Sequence, residues 1–146
     1  MEGTMVVEQF IFEFEAKVDN IRVVRSAIKV FLKMKKASDS EIFDTELAIN
    51  EAVANVIEHT YNYREDEVIV IRLFWNQEER SCVFEIQDYG EPVKLEKIAS
   101  RNLEDVKEHG LGVYLIKSIM DEIKFKKADK GNLLHLKKHF QEKKNA

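Results

Sequence analysis

The hydrophobic period changes several times along the chain, and each change marks an element. Residues 5–14, MVVEQFIFEF, alternate and place Val6, Phe10, Phe12 and Phe14 on one side, which predicts a strand. Over 19–36 the period lengthens. Val24, Ala27, Ile28, Phe31 and Met34 form a helical stripe, with Asp19 or Asn20 as its cap. SDSE then signals a second helix over roughly 41–60, capped by Ser38 or Ser40, whose apolar face is Ile42, Ile49, Ala52, Val53, Val56 and Ile57. VIVIRLFW (68–75) and CVFEIQ (82–87) are rich in β-branched and aromatic residues and flank polar NQEERS, so they predict a hairpin. Residues 93–109 are highly charged with little apolar period, which predicts a partly helical loop. A third helix fits 111–121, with Val113, Leu115, Ile116, Ile119 and Met120 on its core side. EIKFKK and LLHLKKHF around ADKGN form a last hairpin.

The order β-α-α-β-β-loop-α-β-β describes an α+β domain. Hairpin-linked strands give a mixed, mostly antiparallel sheet, and the helices cover one face of it in a two-layer α/β sandwich. The length of 146 residues suits a single domain, 1–146, with enough chain for a hydrophobic core.

Composition narrows the function classes. Apolar residues make up 45 % and charged residues 34 %, a globular balance. The 23 bases are mixed among 27 acids for a net charge of −4, so a direct nucleic-acid surface is disfavoured. The lone Cys82 excludes an internal disulfide and reads as a small apolar strand residue in a reducing compartment. No apolar run is long enough to span a bilayer, and no basic segment followed by an apolar core opens the chain. A cytoplasmic protein without membrane attachment is expected.

The second helix raises a chemical question. Glu51, Asn55 and His59 recur every four residues and line one stripe opposite the apolar face. Spacing alone favours a solvated face. Two glycine motifs bear on the choice. EHGLGVYLI (108–116) puts Gly110 and Gly112 where a helix begins, a place whose free N–H groups and dipole suit anions. DYGEP (88–92) puts Asp88 at a strand end, where a carboxylate can accept from the amino edge of a base. Each motif by itself is also compatible with an ordinary turn.

In chain order, ELAINEAVANVIEH, FEIQDYGEP and HGLGVYLIKSIMDEI resemble the N box and two glycine boxes of the gyrase, chaperone and histidine-kinase ATPase superfamily. The EAVANVIEH form, the chain length and LIKSIMDE resemble more narrowly the bacterial anti-sigma factors that are also serine-protein kinases. The resemblance spans essentially the whole chain and implies a histidine kinase-like ATPase fold with residues 93–109 as the lid over ATP. It implies that Asn55 binds the magnesium that bridges the phosphates and that Glu51 is the general base. Asp88 would accept from the adenine amino group, Gly90 would let the backbone pass close to the base, and Gly110, Leu111, Gly112 and Val113 would lie along the phosphates. The implied cofactors are ATP or ADP with Mg2+. The implied partners are a sigma factor and an anti-sigma factor antagonist, met by a homodimer.

These roles suit the residue types. Magnesium prefers oxygen ligands and keeps several waters, so one amide oxygen from Asn55 suffices beside phosphate. Phosphoryl transfer needs positioning and charge stabilisation more than covalent participation. Three positions depart from the family pattern: Glu108 stands at the first glycine of the second box, Pro92 at a glycine of the first, and His135 near a strand threonine that borders adenine. His59 reads as a structural histidine, and no Cys/His cluster has zinc spacing. The competing function is a non-catalytic switch that binds nucleotide, or nothing, and acts by sequestering a partner. A sensor-kinase catalytic module or a gyrase-type machine is disfavoured, because phosphoacceptor helices and a transducer domain are not seen in the sequence.

Overall fold

The structure is a computed structural model in which residues 8–91 and 111–142 are described. Val6, the 93–109 segment, Pro92 and Gly110 lie outside them. The described elements are β1 (Glu8–Glu15), α1 (Val18–Met34), α2 (Asp39–Asn55), β2 (Val68–Asn76), β3 (Ser81–Asp88), α3 (Leu111–Ile119), β4 (Glu122–Lys127) and β5 (Asn132–His139), with one wider turn of π-helix, Val56–Thr60, continuing α2. The five strands form one sheet in the order β1-β2-β3-β5-β4, and every described pairing is antiparallel. The α+β two-layer architecture expected from the sequence is therefore present.

Local chemistry explains the helix starts. Ser38 caps α2 through a capping box: its hydroxyl accepts from the Glu41 N–H at 3.1 Å, and the Glu41 carboxylate accepts from the Ser38 N–H at 3.1 Å. Helix α1 differs from expectation. Its N-cap is Lys17, with no side-chain cap bond, and Asp19 falls inside the first turn, where its charge meets the helix dipole. Asn20 instead donates to the Glu15 carbonyl at 2.9 Å and ties the helix back to β1.

The alternation of the strands decides which side meets the helices. Ile69, Ile71, Leu73 and Trp75 of β2, Phe84 and Ile86 of β3, and Leu136 of β5 are buried together with Ile28 and Leu32 of α1 and Ile42, Ile49, Ala52 and Val53 of α2. This core supplies the main drive for folding by removing apolar surface from water. Helix α2 packs against both α1 and α3 on the same side of the sheet. At the end of the sheet away from Asp88, Phe10, Phe31, Trp75 and Phe140 form a chain of ring contacts 5.2–6.0 Å apart, and Lys35 and Arg80 stand over the Trp75 ring. Cys82 is fully buried, and burial pushes its thiol well above the ordinary range, so it is a core residue. No helix among the described residues is long and apolar enough to cross a membrane.

Candidate functional site

Helix α2 presents Glu51 and Asn55 one turn apart, both half-buried, while Ala52, Val53, Val56 and Ile57 beside them are in the core. A freely solvated face is thereby set aside: these polar side chains stand in a partly enclosed place. Directly after Asn55 the helix widens, and the Tyr61 N–H bonds back to the Val56 carbonyl at 2.9 Å. The wider turn changes the angular phase of the residues that follow Asn55. His59 lies with its Nε2 3.9 Å from Glu58 Oε2.

Helix α3 closes one side of this place. Leu111 begins it, and Gly112 faces α2 so closely that a Cβ there would stand 2.7 Å from Glu51 Oε2. Any side chain would have to displace the carboxylate, which is a physical reason for glycine at this position. Val113 is 7 % exposed and belongs to the core, so what it can offer a ligand is its backbone N–H in the first turn. The sequence-identified glycine and carboxylate motifs thus meet in space. Gly110 lies outside the described residues.

The third wall is the end of β3. Asp88 is only 4 % exposed, and burial raises its carboxyl above the ordinary aspartate range. Partial compensation comes from hydrogen bonds: Oδ1 accepts from Asn132 Nδ2 at 2.9 Å and from the Gly90 N–H at 3.0 Å. Asn132 also donates to the Glu91 carbonyl at 2.9 Å, so the start of β5 holds the whole Asp88–Glu91 turn. Gly90 rests on the end of the π-helical turn, where a Cβ would collide with the Thr60 methyl.

His135 is not at this turn. It pairs in register with Glu85 and with Lys124, on the sheet face turned away from the helices, and its Nε2 is 3.9 Å from Glu122 Oε2. Burial holds its imidazole below the ordinary histidine range. The residue of the late strand that meets Asp88 is Asn132, three positions earlier. It was legible in the sequence only as turn chemistry after Gly131. Tyr61 and Thr60 carry no local signal of a site role either, since the turn residues they meet, Tyr89 and Gly90, lie far along the chain.

The arrangement therefore has a buried carboxylate at one end, and a carboxylate and an amide from α2 against the start of α3 at the other. Among the described residues no group of three or more His, Cys, Asp or Glu side chains is placed to hold a metal ion. A hard cation here would take most of its ligands from phosphate and water, as magnesium commonly does.

A profile of the histidine kinase-like ATPase domain matches residues 14–138. The chain belongs to that family. It is 28 % identical over 116 residues to the serine-protein kinase RsbW of Staphylococcus epidermidis, covering 74 % of this chain and 72 % of the relative. To the serine-protein kinase RsbW of Staphylococcus aureus it is 27 % identical over the same shares. Among solved structures, 91 % of the chain superposes with a TM-score of 0.66 and 19 % identity on a crystal structure of the RsbU and RsbW domains of a Mycobacterium tuberculosis protein, of which the match spans 32 %. A chain of the SiaB–SiaC complex from Pseudomonas aeruginosa matches with a TM-score of 0.62 and 17 % identity, over 88 % of this chain and 87 % of that one. At such identities the two structures establish likeness of fold.

Proposed function

We propose that this member of the histidine kinase-like ATPase family is an ATP-dependent serine/threonine protein kinase and anti-sigma regulatory factor. It sequesters a sigma factor and phosphorylates an anti-sigma factor antagonist, working as a homodimer in the cytoplasm. The observation that carries the reading is the meeting of Glu51 and Gly112 between α2 and α3, in a chain whose curated relatives are serine-protein kinases.

The residues fit ATP and magnesium. Asp88, kept in place by Asn132 and the Gly90 N–H, accepts from the adenine amino group. Gly90 and Gly112 keep the walls free of side chains, and the N–H groups at the start of α3, with Gly110, Leu111 and Val113, lie along the phosphates. Asn55 offers its amide oxygen to the cation. Bound magnesium supplies charge neutralisation on the transferring phosphoryl group. Glu51 accepts the proton of the attacking serine or threonine hydroxyl, a contribution of roughly 10²–10⁴-fold for a well-placed base. Residues 93–109, which lie outside the described residues, are the lid that the family resemblance implies, and Lys94, Lys97, Arg101 and Lys107 are bases within that span.

Calorimetric titration of ADP and ATP, with and without magnesium, tests the site. Magnesium-dependent micromolar binding is expected, and transfer of the γ-phosphoryl group to a purified antagonist should be lost in Glu51→Ala. Nucleotide binding without phosphotransfer in the wild type would assign the protein to the non-catalytic, sequestering class.

A further inference from the structure

Tyr61 is completely buried, yet its hydroxyl is not idle. It donates to the Val68 carbonyl at 2.6 Å, at the start of β2, and accepts from the Tyr89 N–H at 2.7 Å, between Asp88 and Gly90. Burial raises its pKa to about 12, so the phenol keeps its proton and the donor half of this pair throughout the ordinary pH range. The ring edge matters as well: Tyr61 Cε1 and the Thr60 methyl are the atoms on which Gly90 rests. Behind Tyr61 the chain runs through the π-helical turn directly to Asn55 and Glu51. Ahead of it Asn62 and Tyr63 both adopt positive φ, 49° and 62°, an unfavourable pair for non-glycine residues that persists only where its surroundings fix it. Tyr63 N–H to the Ile57 carbonyl, at 2.8 Å, and Arg64 Nε to the Tyr61 carbonyl, at 3.0 Å, help do so.

We propose that Tyr61 is a positioning residue of the nucleotide site. Its hydroxyl fixes the Asp88–Gly90 turn against the end of the helix that carries Glu51 and Asn55. The adenine end and the phosphate end then keep one spacing, and Asp88 is aligned with the base only while that link holds. This rests on the nucleotide reading given above, and goes beyond it in assigning to a residue that touches no ligand the selectivity of the Asp88 carboxylate.

The test is Tyr61→Phe, which retains the ring and deletes both hydrogen bonds, leaving the Tyr89 N–H without this partner. Kd is measured for ADP and for purine riboside 5′-diphosphate, which lacks the amino group that Asp88 would read. In the wild type ADP is expected to bind about 10-fold tighter than the amino-free analogue, the discrimination due to one well-placed hydrogen bond. In Tyr61→Phe the preference should shrink to about 2-fold or less, chiefly through weaker ADP binding. A preserved preference, whether both affinities fall together or neither changes, overturns the role of Tyr61. Absence of ADP binding to the wild type overturns the nucleotide reading itself, and wild-type binding without preference overturns the alignment of Asp88 on which Tyr61 would act. Should Tyr61→Phe not fold, amide exchange on the wild type decides: ADP, and not inorganic pyrophosphate, should slow exchange at Tyr89, and equal slowing or none overturns the proposal.

Discussion

Gly112 of α3 abuts the side chain of Glu51 on α2, such that a methyl group at position 112 would stand 2.7 Å from Glu51 Oε2 and 3.5 Å from its Cβ. Inside a helix alanine is ordinarily favoured over glycine by about 1 kcal/mol. At this position the sign of the functional effect reverses. Gly112→Ala must rotate the carboxylate or push α3 away, and a displacement of that size at a reacting group reduces rate by roughly 10²-fold. Phosphotransfer should fall by that order while thermal stability changes little. Unchanged phosphotransfer would mean that the position of Glu51 does not matter to the chemistry.

Glu51 itself is tested by Glu51→Gln, which keeps size and polarity and removes the basic carboxylate. Phosphotransfer is expected to drop by roughly 10²–10⁴-fold with nucleotide affinity held within about 2-fold, since a base acts on the transition state rather than on ground-state binding. Paired single-turnover assays and titrations separate the two quantities. An equal loss in both would point to a binding role.

Asn55→Ala removes the amide oxygen one turn further on. Its neighbours Val53, Val56 and Ile57 remain buried, so the fold should survive. Magnesium-dependent enhancement of ATP binding should disappear, leaving affinity the same with and without the cation. Retained magnesium dependence would move the ligand to another residue.

How much of this was readable in the sequence depended on range. The α2 helix was legible because its signals are local: the Ser38–Glu41 capping box and an apolar stripe of Ile42, Ile49, Ala52, Val53, Val56 and Ile57. Both hairpins were legible for the same reason. The placement of β5 between β3 and β4, and of β1 beside β2 across two intervening helices, depends on pairings that no local pattern encodes. At the site, Glu51, Asn55, Asp88 and Gly112 announced themselves by motif. Tyr61 did not, because its acceptor bond to Tyr89 joins residues 28 apart and looks in sequence like one more apolar residue after a helix. His135 and Asn132 show the limit of counting along a strand. Alternation assigns them to opposite faces, and only the register with β3 reveals which one meets Asp88.

Asp88 connects stability to function through pH. Its folded-state pKa lies above the ordinary aspartate value, with burial as the first cause, so the native state holds this proton to higher pH than the unfolded chain does. Stability from this group is therefore greatest at low pH and falls as pH rises through the folded pKa, the reverse of a salt-bridged carboxylate. Asp88→Asn removes the titration. It also keeps an oxygen to accept from Asn132 and the Gly90 N–H, while its amide N–H₂ meets the adenine amino group donor to donor. The variant should lose adenine-nucleotide binding by at least about 10-fold, the order of a lost and opposed hydrogen bond. Its Tm relative to the wild type should climb as pH rises from the ordinary aspartate range through the raised folded-state value. A Tm difference that stays flat with pH would mean that Asp88 carries no burial penalty, and intact ADP affinity would mean that its carboxylate does not read the base.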